Sequence, residues 1–196
     1  FVKGAFLEIK GSKKAEYKVK FIDNKTNQIK FSTTIGNNCW CKCNIEYFVE
    51  WKILIYENNK LWYESIYDAT DKRVYIALDS KALGDSLSWF PYADEFRKKH
   101  NCKVVVSTFM NDMFINQYPE LEFVTPGTNV TDLYAMYSIG LFYNEDGTVN
   151  GLKNPIDPKH QTMQKMCTDI WGLEYTEIKP KIKKRNPYID PNLKQV

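Results

Sequence analysis

Three stretches of this chain gather side chains that can do chemistry. The first runs from Arg73 to Trp89, where an apolar run (Val74 to Leu78) leads through a loop carrying Lys81 to the pair Gly84-Asp85. Asp85 opens a segment with helical spacing, so its carboxylate meets the unpaired N–H groups and positive field of a helix N-terminus. A carboxylate held there can accept a proton from an alcohol. Gly84 permits a sharp turn or the close approach of a ligand to the backbone. Lys81, Gly84, Ser86 and Trp89 are candidate substrate-binding residues around it, with Lys81 suited to a phosphate or a sugar. A plain helix cap is the competing reading of Asp85, and residue type alone favours it. Lys81 serves equally well as an idle loop lysine, and Trp89 with Phe90 reads more readily as core than as a sugar platform.

The second stretch is Cys39-x-Cys41-x-Cys43. On an extended strand three sulfurs would point to one side, yet structural zinc sites usually pair cysteines two residues apart on a turn. Reduced thiols are the simpler reading and metal the minor one. The third set is His100, ending a charged segment, and His160, preceding another. Both read as surface residues or dipole partners rather than catalytic groups.

The elements that must position these residues fall into two parts. Residues 1–70 read as an all-β sandwich or barrel: alternation over Glu16 to Asp23, a second strand from Gln28 to Ile35, a long aromatic run from Ile45 to Tyr56, and a last strand from Leu61 to Tyr67. From residue 71 to 178 the pattern becomes strand, helix, strand, helix, strand. It comprises Arg73 to Leu78, Asp85 to His100, Cys102 to Val106, Asn111 to Tyr118 and Leu121 to Thr125. That pace predicts a parallel, Rossmann-like α/β sheet with right-handed crossovers, whose ligands lie beyond the carboxyl ends of its strands. Asp146-Gly147 marks a β-hairpin over about 141–150, whose flanks Leu141, Phe142 and Tyr143 are a candidate intersubunit contact, though packing on their own domain is the slightly favoured reading. Gln161 to Trp171 reads as a further helix ended by Gly172. Residues 179–196 are rich in Lys and Pro, as a linker would be.

The stretch IALDSKALGDSLSWFPYADEFRKKHNCKVVVSTF resembles the autotransporter heptosyltransferases, relatives of the family 9 lipopolysaccharide heptosyltransferases. NQYPELEFVTPG and YAMYSIGLFYNEDG carry the likeness onward, and FVEWKILIYENNKLWYES extends it into the β-rich part. The resemblance covers residues from about 30 to 180. It implies the acceptor-side half of a GT-B enzyme that moves heptose from ADP-heptose to serine hydroxyls on the β-repeats of an autotransporter, inverting the anomeric centre. The acidic residue of the Gly-Asp turn, the family's proposed general base, falls on Asp85. No divalent metal or other cofactor is implied for this half. The donor-binding domain is expected after Val196, so residues 1–196 alone should be inactive. One departure is local: the lipopolysaccharide enzymes usually carry small hydroxyl residues before the Gly-Asp pair, where this chain has Ser80-Lys81-Ala82-Leu83.

Composition narrows the other classes. A net charge of +3 over 196 residues is too small to argue for nucleic acid, and 43% hydrophobic with 15% aromatic residues suits a packed protein. No apolar run reaches the ~18 residues that span a bilayer. With no leader pattern and five cysteines, an odd number, the chain reads as cytoplasmic with reduced thiols. The expected partners are the protein acceptor, the missing domain and other copies of the chain, not a membrane. Two further readings stay open: a related transferase with another sugar or acceptor (a surface glycan, or phage-type nucleic acid), and a non-catalytic interaction module.

Overall fold

The structure is a computed structural model, and it describes residues 1–183. In β2 (Glu16–Asp23), Tyr17, Val19 and Phe21 are buried while Lys18 faces outward, as the alternation requires. It pairs antiparallel with β3 (Gln28–Gly36) on one side and β5 (Trp51–Glu57) on the other, and β6 (Lys60–Ile66) completes the order β3-β2-β5-β6. Asn58 and Asn59, at φ 49° and 61°, make the left-handed turn between β5 and β6. A separate antiparallel ribbon joins β1 (Ala5–Ile9) to β4 (Cys39–Cys43).

The strand expected from Ile45 begins only at Trp51. Glu46 N donates to Leu152 O and Phe48 N to Ile170 O, both at 2.7 Å. This segment therefore spends its backbone bonds on the later part of the chain instead of extending the sheet. Phe48 packs there against Phe96, His100 and Tyr137. One continuous apolar core runs from Phe21 and Trp51 through to Phe96 and Trp171, so packing is unbroken across residue 70.

The second sheet contains β7 (Arg73–Leu78), β8 (Lys103–Thr108), β9 (Glu122–Val124) and β10 (Leu133–Ser138), all parallel, in the order β10-β7-β8-β9. Val74 to Leu78 are buried throughout, the signature of a strand covered on both faces. Between β7 and β8 runs α1 (Leu83–His100), which buries Trp89, Phe90, Ala93 and Phe96. Phe90 stacks on Phe114 of α2 (Asn111–Phe114) with ring centroids 3.9 Å apart. α2 is one turn long; Tyr118, expected to continue it, instead packs against Phe90. The hydroxyl of Tyr118 accepts from Lys181 N at 3.0 Å.

The helix α3 (Met163–Trp171) is capped by Thr162, whose hydroxyl accepts from Lys165 N, and ends at Gly172 with φ 64°. Around Asp146 the expected hairpin is reduced to one bridge, Tyr143 with Val149. The base of that loop is held by Asn154, 2% exposed, which accepts from Phe142 N and donates to Gly140 O. Of the stretch read as a linker, residues 179–183 lie against the α/β part through Lys181 and Lys183, whose N donates to Met113 O; residues 184–196 lie outside the described residues. No helix among the described residues is long and apolar enough to cross a membrane.

Candidate active site

The strand order locates the site. From β7 the chain steps to β8 and β9 in one direction, then β10 returns to the other side of β7. Parallel α/β sheets hold ligands beyond the carboxyl ends of their strands where the strand order reverses, here at β7 and β10. A cleft of about 420 Å³ lies there. Ala77, Asp79 and Ser80 form one wall, Asp85 and Trp89 of α1 the next, and Ser138 to Phe142 the third.

Asp85 does not cap the helix. α1 starts at Leu83, and its N-cap residue is Ala82, which has no side-chain cap hydrogen bond. Asp85 sits on the third helical residue and Oδ2 accepts a hydrogen bond from Ser80 Oγ at 2.6 Å. Ser80 Oγ in turn accepts from Ala82 N at 3.1 Å. A second carboxylate, Asp79, follows β7, and its Oδ1 accepts from Ser107 Oγ of β8 at 2.8 Å. Two carboxylates thus line one cleft, each held by a serine hydroxyl. Such a surface can accept protons or hydrogen bonds from a hydroxyl-bearing substrate.

The other candidate residues divide. Trp89 lines the cleft but is only 2% exposed, so it is wall rather than platform. Gly84 is exposed in the first turn of α1, with open space where a Cβ would stand. It has no positive φ, so the helix itself does not demand glycine. Ser86 is buried and its hydroxyl donates to Ala82 O, inside its own helix. Lys81 is not part of the cleft wall: its ammonium lies 5.2 Å above the ring of Phe109, after β8.

Sequence reasoning missed Asp79, Ser80 and the wall from Ser138 to Phe142 as site residues. Asp79 and Ser80 carry a signal, since they end the β7 run whose carboxyl end was expected to face ligand. The third wall has none, because it is brought in by the sheet order from some sixty residues downstream.

His100 corrects its expectation. It is half-buried between Phe48, Phe96 and Tyr67, with ring centroids 4.9, 4.4 and 5.9 Å away. Burial and then the neighbouring Lys99 push its pKa down to about 4, so at neutral pH it is not the cation a helix dipole would want. His160 is exposed. All five cysteines are free; Cys39 is exposed and the other four are buried. Burial pushes the thiols of Cys41, Cys43 and Cys167 up, and that of Cys102 to about 11, so these are poor nucleophiles. Among the described residues no three His, Cys, Asp or Glu side chains lie together so as to hold a metal ion, Cys39, Cys41 and Cys43 included.

No protein-family model matches the chain. The fold is that of part of a bacterial glycosyltransferase: the iron-containing dodecameric TibC of enterotoxigenic Escherichia coli H10407 superposes with a TM-score of 0.83 at 24% identity. The match covers 96% of this chain and 49% of that one. TibC has also been solved in complex with ADP-D-β-D-heptose. Among curated proteins, the autotransporter heptosyltransferase BAHTCr of Citrobacter rodentium is 30% identical over 83% of this chain, and Aah of Escherichia coli is 30% identical over 90%. BimC of Burkholderia thailandensis, an inactive autotransporter heptosyltransferase, is 26% identical over 85%. The chain is homologous to a part of the autotransporter heptosyltransferases, as its motifs implied, and it spans less than half the length of these relatives. The iron of TibC was not implied by the resemblance, and the described residues here offer no set of ligands that fits it.

Proposed function

We propose that this chain is the acceptor-side, Rossmann-like half of a cytoplasmic GT-B glycosyltransferase, preceded by its β-rich residues 1–70. It acts with a donor-binding half to move heptose from ADP-heptose to serine hydroxyls of an autotransporter-type protein. The observation that carries this reading is Asp85, a carboxylate in the cleft at the switch point that caps nothing and is aligned by a hydroxyl.

In the proposed step the acceptor serine enters the cleft with its hydroxyl against Asp85. As the serine oxygen attacks the anomeric carbon, its proton passes to Asp85. The bond from that carbon to the diphosphate oxygen breaks, ADP leaves with the electron pair, and the configuration inverts. General-base assistance of this kind contributes about 10²- to 10⁴-fold. Asp79 and Ser138 offer further hydrogen-bonding groups to the segment around the acceptor serine. Leu141 and Tyr143, 51% and 38% exposed beside the cleft, are a candidate contact between copies in a homo-oligomer like that of TibC.

A second reading, a subunit that keeps the fold without the chemistry, draws support from the inactive relative. Mass spectrometry of a co-expressed autotransporter separates the two. Serine adducts of heptose mass that disappear with Asp85→Ala support the enzyme; an unmodified acceptor supports the inactive subunit.

A further inference from the structure

The Ser80 hydroxyl makes two bonds that fix its one proton. As an acceptor it takes the N–H of Ala82 at 3.1 Å, closing a serine turn that holds the oxygen in place. As a donor it has a single hydrogen, directed to Asp85 Oδ2 at 2.6 Å, the short range of a hydroxyl-to-carboxylate bond. Ser80 and Asp85 both line the cleft and are both partly buried. An aspartate two bonds from the backbone rotates freely about its terminal torsion unless an oxygen is held.

We propose that Ser80 is a positioning residue: by holding Oδ2 it fixes the carboxylate plane of Asp85 so that Oδ1 faces the acceptor hydroxyl. This rests on the proposed role of Asp85 as the base. Ser80 touches no reacting atom, and its effect falls on how often the base is in line. Misplacing a reacting group by about an ångström costs on the order of 10²-fold, so the loss appears in kcat with the KM for the acceptor unchanged.

Two isosteric variants separate this role from the serine turn itself. Asn and Asp at position 80 can each accept the Ala82 N–H through a side-chain oxygen. Only Asn can also donate a hydrogen bond to Asp85. The experiment measures steady-state transfer by the complete enzyme for Ser80→Ala, Ser80→Asp and Ser80→Asn, with melting curves to establish that each is folded. Ser80→Ala and Ser80→Asp are expected to lose about ten- to a hundredfold in kcat at constant KM, and Ser80→Asn to retain most of it. Equal losses in the Asp and Asn variants, or kcat near wild type in all three, overturn the positioning role. Undiminished transfer by Asp85→Ala, or none by the wild-type enzyme, overturns the proposed function and this inference with it.

Discussion

Phe48 presses so closely on Gly172 that a Cβ on the glycine would overlap its ring. Gly172 also has φ 64°, the left-handed conformation that ends α3. The β-rich part of the chain and the last helix therefore meet at a place where two independent constraints exclude a side chain. Gly172→Ala is expected to destabilise the chain by about 2–4 kcal/mol from strain and overpacking together. For a chain of this length that lowers Tm by roughly 5–15 °C, which calorimetry measures.

His100 sits at the same junction, facing Phe48, Tyr67 and Phe96, with burial and then Lys99 lowering its pKa and Glu50 raising it. Its folded value of about 4 lies below the ordinary histidine value of 6.5. Between those values the unfolded chain binds the extra proton, so stability falls as pH drops from 6.5 towards 4. His100→Phe removes this contribution. Its Tm is expected to decline less steeply than that of the wild type from pH 7 to 4.5, and parallel declines would contradict the assignment.

How far these features could be read from sequence depends on their range. β2, β7 and α1 were legible because local alternation, an apolar run and a basic last turn each carry their own pattern. The strand expected at Ile45 was not, because Glu46 and Phe48 look β-like locally while their N–H groups pair with residues more than a hundred positions away. The helix was legible, although it begins at Leu83 rather than Asp85, but the hydrogen bond of Asp85 to Ser80 was not. Capping and hydrogen bonding to Ser80 differ only in the path of the loop between them. Lys81 illustrates the same limit, since its spacing suits a phosphate while the loop turns it onto Phe109.

That placement makes a prediction of its own. Lys81→Ala is expected to leave the KM for both substrates of the complete enzyme within about twofold, because its ammonium rests on Phe109 outside the cleft wall and an exposed charge of this kind contributes little. A larger rise in the donor KM would show that the lysine swings back to a phosphate on binding.

Leu141 and Tyr143 flank the cleft on a loop tied down by Asn154. If the loop joins copies, Leu141→Asp buries a charge in that contact, and light scattering coupled to size exclusion is expected to show smaller assemblies. An unchanged mass would remove the loop from the interface.

The most direct test of the account is the rate of heptose transfer by Asp85→Asn in the complete enzyme, an isostere that keeps the hydrogen bond from Ser80 but cannot take a proton. The proposed mechanism predicts a fall of about 10²- to 10⁴-fold with Tm preserved. A rate within a few fold of wild type would contradict it.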